Sequence, residues 1–294
     1  MGTLYLVATP IGNLEDMTPR ALRILHEARL IAAEDTRVTR KLLTHFDIHT
    51  PLTSYYEHNK LSKLEAILSA LAEGDVALVS DAGTPALNDP GYELVRAALE
   101  AGHNVSPLPG PSAPVAALVA SGLPTDAFLY LGYLPRKSSA RQARLGQVRN
   151  LPYTLIFLET PHRLLAALAD LEAILGDRQI AIARELTKLH EEIWRGTISA
   201  AREYFGKHEP RGEFTLVVDG RRMTEEGGRW TEEKVVIAIK TGLKLGEAPS
   251  ALAKRLAEES GWNRREVYNL IIAEDPKGLQ DLKGLSGTKE TTCP

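Results

Sequence analysis

Four short stretches hold most of the residues able to do chemistry in the 294-residue chain: TPIGN (9–13), AEDTR (33–37), SDAGTP (80–85) and PGPSA (109–113). Each follows an apolar run, and each mixes Gly, Pro or Ala with hydroxyls or carboxylates. Small residues let backbone N–H and C=O groups come close to a ligand. The carboxylates Asp35, Asp81 and Asp89, with Glu159 and His162 further on, are the groups that could accept a proton from a weak nucleophile. Each also has a structural alternative. Asp35 suits the N-cap of a helix beginning at Thr36, and Asp89 precedes Pro90 where a helix could begin. Nucleotide loops of the G-x-G-x-x-G or Walker type are missing, as is H-E-x-x-H. The eight His are scattered and the single Cys is Cys293, so the sequence calls for no metal.

The elements that must position these stretches alternate. Strands are predicted at Thr3–Ala8, Leu30–Ala33, Val76–Val79 and Val105–Leu108. Helices are predicted at Thr18–Glu27, Arg37–Phe46, Lys60–Glu73 and Tyr92–Ala101. That order implies βαβ units, a mostly parallel sheet and an α/β class. In such sheets ligands bind at the carboxyl ends of strands, where all four stretches fall. VSDAGTPALNDPG (79–91) is the stiffest of them and follows a strand apolar throughout.

The pattern changes near Pro114–Pro124. Strand-like runs follow at FLYLGYL, TLIFLE, IAIARE, IWRGTI and EFTLVVDG, with an amphipathic helix at His162–Leu175. These suggest an α/β region over 1–114, a second over 115–222, a helical region over 230–275 and a mobile tail over 276–294. Charge is nearly balanced, with 35 Lys and Arg against 38 Asp and Glu, so any polyanion would be met by local patches. Ala127–Leu158 contains no acid but carries Arg136, Lys137, Arg141, Arg144 and Arg149. Arg37, Arg40 and Lys41 form a second basic group. Both suit phosphate contacts, and both also read as solvated faces. In PSALAKRLAEESGWNRREVYNLII (249–272), helix, Gly turn and helix follow in a helix-turn-helix-like order with Lys254, Arg255, Arg264 and Arg265 exposed. No signal segment or membrane-length apolar run is seen, which suits a cytoplasmic protein.

VATPIGNLEDMTPRAL, AAEDTR, VSDAGTPALNDPG, LPGPSA, ETPHR, ARELTK and RGEFTLVVDG together resemble, in that order, the tetrapyrrole-methylase superfamily, and within it the branch that acts on ribosomal RNA. The resemblance implies a two-domain tetrapyrrole-methylase-like fold with a small helical C-terminal region. It further implies a homodimer and S-adenosylmethionine held between the domains. The activity it implies is 2′-O-methylation of a cytidine ribose in the decoding region of 16S rRNA. Carried over by position, Pro10, Ile11, Asp81, Ala82, Gly83, Thr84, Leu87, Ser112, Ala113, Leu158, Glu159, Leu186 and Thr187 would border the cofactor. Asp35, Asp81 and Glu159 would be the catalytic candidates. Two departures stand out. Members acting on porphyrinoids carry G-x-G-P-G-D after the first strand where this chain has A-T-P-I-G-N, and their Gly-Gly-Asp-Pro turn has Thr84 in place of Asp. Two alternatives remain on the residues alone: a small-molecule methylase of the same fold, or a non-catalytic RNA-binding protein.

Overall fold

The computed structural model describes residues 2–220 and 230–274. The first helix, α1 (Pro19–Glu27), begins where Thr18 caps it: the Ala21 N–H donates to Thr18 Oγ1 at 3.2 Å, and Pro19 occupies the first turn. It follows β1 (Thr3–Val7) and precedes β2 (Leu30–Ala33). Then come α2 (Thr36–His45), β3 (Leu52–Ser54), α3 (Lys60–Glu73), β4 (Val76–Val79), α4 (Tyr92–Glu100) and β5 (Asn104–Leu108). These strands form an all-parallel sheet in the order β3-β2-β4-β1-β5. β4 is buried on both faces, as its unbroken VALV requires. Ile24 and Leu25 of α1 and Leu43 of α2 fill one side of the sheet. Ile67 and Leu71 of α3 and Leu94 of α4 fill the other. The three-residue edge strand β3 is not anticipated by the sequence.

α5 (Ala113–Ser121) leads to β6 (Phe128–Tyr133), α6 (Ser138–Val148), β7 (Thr154–Glu159), α7 (Leu164–Leu175), β8 (Gln179–Arg184), β9 (Glu192–Thr197), α8 (Ile198–Lys207) and β10 (Phe214–Val218). The second sheet has the order β6-β7-β10-β8-β9 and is mixed: β6 and β7 run parallel, and the other neighbours are antiparallel. α6, α7 and α8 cover one face through Leu145, Leu168 and Phe205. Ala117 and Leu118 of α5 cover the other, against Ile156, Ala181 and Val217. Both sheets belong to one compact unit that ends at Arg221.

A second unit contains α9 (Glu232–Lys244), α10 (Pro249–Ser260) and α11 (Arg264–Glu274) around Val235, Ile239, Leu252, Leu256, Val267 and Ile271. Gly261, at φ +68°, ends α10. Asn263 and Glu266 start α11 with reciprocal bonds: Arg265 N–H donates to Asn263 Oδ1 at 2.9 Å and Asn263 N–H to Glu266 Oε2 at 3.2 Å. Lys254, Arg264 and Arg265 are exposed as expected, whereas Arg255 is half-buried and held by Glu247 and Glu259. The tail expected at 276–294 lies outside the described residues. No described helix is long and apolar enough to cross a membrane.

Candidate active site

The loops after β1, β4 and β5 are tied together before any ligand is considered. Thr9 and Gly83 exchange two backbone hydrogen bonds of 2.9 Å, and Thr9 Oγ1 donates to Ser80 O at 3.2 Å. Thr84 Oγ1 donates to Pro111 O at 3.3 Å. Gly83 sits at φ +82°, a left-handed turn that glycine adopts without strain. A Cβ on Gly110 would lie 2.8 Å from Ala8 Cβ, so the loop after β5 needs glycine to pass the end of β1.

Between these loops and the second sheet lies a cleft of about 300 Å³. Its first wall is Ile11, Asp81, Ala82, Gly83, Thr84, Leu87, Ser112 and Ala113. Leu158 and Glu159, at the end of β7, stand in the second wall. Ten of the thirteen cofactor positions drawn from the resemblance therefore share one cavity. Pro10 faces a neighbouring cavity instead. Leu186 is buried, with Ile11 and Ala113 packed against its cluster, and so backs the wall without lining it. Thr187, at φ +64°, accepts a hydrogen bond from Asn13 N–H at 3.1 Å. ARELTK thus braces the TPIGN loop, and neither Leu186 nor Thr187 is among the lining residues of the cleft.

Sequence reasoning missed Glu34, Asn88, Tyr130, Tyr133, Glu213, Phe214 and Thr215, all of which line the cleft. Asn88 meets β6 closely: a Cβ on Gly132, itself at φ +63°, would fall 2.0 Å from the Asn88 amide nitrogen. Gly132 lies where β6 shifts register between Tyr130 and Tyr133, a break that lets both tyrosines reach the cleft.

Five carboxylates line the cleft, Glu34, Asp81, Asp89, Glu159 and Glu213, and among the described residues no Lys, Arg or His does. Burial pushes the Asp89 carboxyl up to about 6, with the neighbouring charges of Glu34 and Asp81 adding to it against a hydrogen bond from Ser80. Burial also raises Glu34 and Asp81. Glu159 is raised by burial against the pull of Thr160 N–H and Arg163. Its Oε2 accepts from Thr160 N–H at 3.0 Å and its Oε1 from Arg163 Nη2 at 2.9 Å. Glu159 is therefore a braced carboxylate.

Asp35 does not itself line the cleft, although its N–H donates to Oδ1 of the cleft residue Asp81 at 3.0 Å. It caps α2 by accepting from Arg37 N–H at 2.8 Å and pairs with the Arg37 guanidinium at 2.6 Å, which holds its carboxyl at about 2. A group so acidic is a poor proton acceptor. His162 is exposed in a single turn of 3-10 helix and does not line the cleft.

Of the basic residues, Arg37, Arg40 and Lys41 line a shallow concavity on α2. Arg136, Lys137, Arg144 and Arg149 are exposed on and around α6. Arg141 corrects the expectation of an RNA contact. It is 5% exposed, its Nε donates to Asp170 Oδ2 at 2.6 Å, and Ser138 and Gln142 bond the same carboxylate at 3.0 and 2.7 Å. Arg141 pins α6 to α7. Its positions relative to Leu145 and Val148 (i+4, i+7) put it on the apolar face, the one sequence signal that could have shown this. Among the described residues, no group of three or more His, Cys, Asp or Glu is placed to hold a metal ion.

The chain matches, over residues 3–202, the model of the tetrapyrrole (corrin/porphyrin) methylases. It is 48% identical to ribosomal RNA small subunit methyltransferase I of Synechocystis sp., over 95% of this chain and all of the relative. It is 45% identical to the protein of that name from Escherichia coli O157:H7, over 93% and 96%. Among solved structures, uroporphyrin-III C-methyltransferase from Thermus thermophilus, complexed with S-adenosylhomocysteine, aligns over 74% of this chain and 97% of its own at 22% identity and TM-score 0.50. The cobalamin biosynthetic enzyme cobalt precorrin-4 methyltransferase aligns over 74% and 94% at 15% identity and TM-score 0.56. Those two likenesses are of fold, whereas the match of the family model over two thirds of the sequence is one of descent: the chain belongs to the tetrapyrrole (corrin/porphyrin) methylase family.

Proposed function

We propose that this protein is an S-adenosylmethionine-dependent methyltransferase that 2′-O-methylates a cytidine ribose in the decoding region of 16S rRNA within the small ribosomal subunit. The observation that carries the reading is a cleft with five carboxylates and no cation among its described lining residues, connected through Asp81 to a second cavity that shares Lys41 with the basic concavity on α2. The cleft fits the cofactor chemically. A sulfonium with an ammonium group is cationic, and carboxylate walls favour it. The left-handed turn at Gly83 and the small side chains Ala82, Ser112 and Ala113 leave backbone groups accessible to a nucleoside. Ile11, Leu87 and Leu158 supply apolar contact. Thr84 spends its hydroxyl on Pro111 O, so it takes over no acidic side-chain contact from its relatives.

When bound, the cofactor supplies an electrophilic methyl group: the ribose oxygen forms the new C–O bond as the C–S bond breaks, and its electron pair leaves on sulfur as a neutral thioether. The chain's own residues do the rest. The tied loops hold the two reactants in line, which accounts for much of the rate gain in such transfers. Asp81 and Asp89, both raised by burial and so made stronger bases than an ordinary carboxylate, are the candidate acceptors for the hydroxyl proton. The same acidity disfavours a porphyrinoid rich in carboxylates as substrate. The relatives' name, ribosomal RNA small subunit methyltransferase I, supports the RNA reading.

We read the working form as a cytoplasmic homodimer. Exposed apolar positions support an interface, among them Val115 and Val119 on α5 and Tyr92 and Leu99 on α4. The test of function is to incubate the protein with methyl-labelled cofactor and small subunits, naked 16S rRNA or a porphyrinoid. Label in a cytidine ribose is expected. Label in the porphyrinoid alone would overturn the reading, and no label anywhere would favour a binding protein.

A further inference from the structure

A second cavity, of about 240 Å³, adjoins the cleft on the α2 side. Pro10 and Leu14 from the loop after β1 form one wall, and Val38 and Leu42 of α2 form the other. Asp81 lines both this cavity and the cleft, so one carboxylate stands at their junction. Thr39 also lines it. That residue is 3% exposed, and its Oγ1 has no hydrogen-bond partner among the described residues. A buried hydroxyl left unpaired costs free energy unless something comes to meet it. At the outer rim, Lys41 lines the cavity and also the basic concavity beyond it. Thr39 is thus the buried polar group of the cavity, while Asp81 and Lys41, the carboxylate and the cation that line it, are both exposed.

We propose that this cavity is the subsite for a single unstacked nucleotide of the RNA substrate. The base lies between Pro10 and Leu14 on one side and Val38 and Leu42 on the other, with the Thr39 hydroxyl meeting a polar edge. The 2′-hydroxyl is presented to Asp81, across which the methyl donor lies, and the phosphate turns outward to Lys41. The inference rests on the RNA methyltransferase reading and deepens it by assigning Asp81, rather than Asp89, to the hydroxyl. The cavity volume lies just below the roughly 300–1,000 Å³ of small-molecule pockets, room for one nucleoside. A duplex cannot enter it, so the target must be extruded from its stack or already single-stranded. Arg37 is committed to Asp35, which leaves Lys41 as the phosphate contact nearest the cavity.

The test is methyl-group NMR of the full chain titrated with cytidine 5′-monophosphate and, separately, with cytidine. Shifts are expected at Leu14, Val38 and Leu42. Lys41→Ala should weaken the monophosphate severalfold and leave cytidine unchanged. Shifts confined to Leu87 and Leu158 of the cleft, or none at all, would overturn the assignment. With small subunits as substrate, Val38→Trp should raise KM by about tenfold or more, near 1.4 kcal/mol, while S-adenosylhomocysteine affinity, read by calorimetry, stays constant. The isosteric Thr39→Val covers the case in which the Trp variant does not fold, and should shift KM in the same direction. Unchanged KM in both would sink the subsite and leave the methyltransferase reading standing. A wild-type protein that labels no ribose would overturn both.

Discussion

Thr9 and Gly83 hold each other by both backbone polar groups, each N–H donating to the other's carbonyl at 2.9 Å. This two-bond bridge is the seam between the loops after β1 and β4, and both sides of it lead to the cleft. Gly83→Ala leaves room for the methyl, since the nearest atoms to such a Cβ are Ile11 Cγ2 at 3.5 Å and Pro111 O at 3.8 Å. It does not leave the backbone free, because φ is +82°. The variant should lose about 1–2 kcal/mol of stability and bind S-adenosylhomocysteine several times more weakly. Thermal unfolding and calorimetry read the two effects. A variant as stable and tight as the parent would mean that the left-handed turn is not required.

Arg141 and Arg144 look alike in sequence and should behave as opposites. Arg141→Ala strands Asp170 in a buried site, where losing one partner of an ion pair costs about 3–5 kcal/mol. Burial alone would raise Asp170, but the bonds from Gln142, Ser138 and Arg141 outweigh it and hold the carboxyl down. Arg144 is exposed and bonds only to Gln147 among the partners seen, at 3.1 Å. Arg144→Glu should leave unfolding within about 0.5 kcal/mol of the parent and raise KM for small subunits. If Arg141→Ala unfolds normally and only RNA methylation suffers, the buried pair has been misread.

The contrast shows what the sequence makes legible. Loops rich in Gly, Pro and Asp announce themselves locally, so composition alone puts TPIGN, SDAGTP and PGPSA at strand ends. The same does not hold for Tyr130, Tyr133 and Phe214, because their facing depends on a register shift in β6 and on antiparallel pairing of β10 with β7 and β8. Nothing within a few residues of them encodes either. Arg141 is hidden by its company: a run of cations reads as a surface until Leu145 and Val148 are given weight. Leu186 and Thr187 are named by resemblance, and the hydrogen bond from Asn13 to Thr187 joins residues 174 positions apart, which no local pattern encodes.

Asp35 caps α2, whereas Asp81 is the proposed proton acceptor, and substitutions should part them. Asp35→Ala removes the acceptor at the start of α2 and should cost modest thermal stability, with kcat changed less than about threefold. Asp81→Asn keeps the shape and removes the proposed proton acceptor, so kcat should fall by about 10²-fold or more with cofactor affinity changed far less. Single-turnover methylation of small subunits reads the difference. Equal loss of kcat in the two variants would return Asp35 to the reacting centre.

The acidity of the cleft sets a direction for pH. Asp89 titrates near 6 in the fold and near 4 in the unfolded chain. Between those values the native state binds more protons than the unfolded one, so this group favours the fold most in acid. That contribution declines as pH rises through 6. Ligand binding runs the other way. A sulfonium favours the ionised carboxylates of Glu34, Asp81 and Asp89, so S-adenosylmethionine should bind more tightly as pH climbs from about 5 to 8. S-adenosylhomocysteine carries the same ammonium but a neutral sulfur, and should follow the rise less steeply. The affinity ratio of donor to product therefore grows with pH, and Asp89→Asn should flatten it. Calorimetric titration of both ligands across that range decides the matter: parallel curves would mean that the carboxylates do not sense the charge on sulfur.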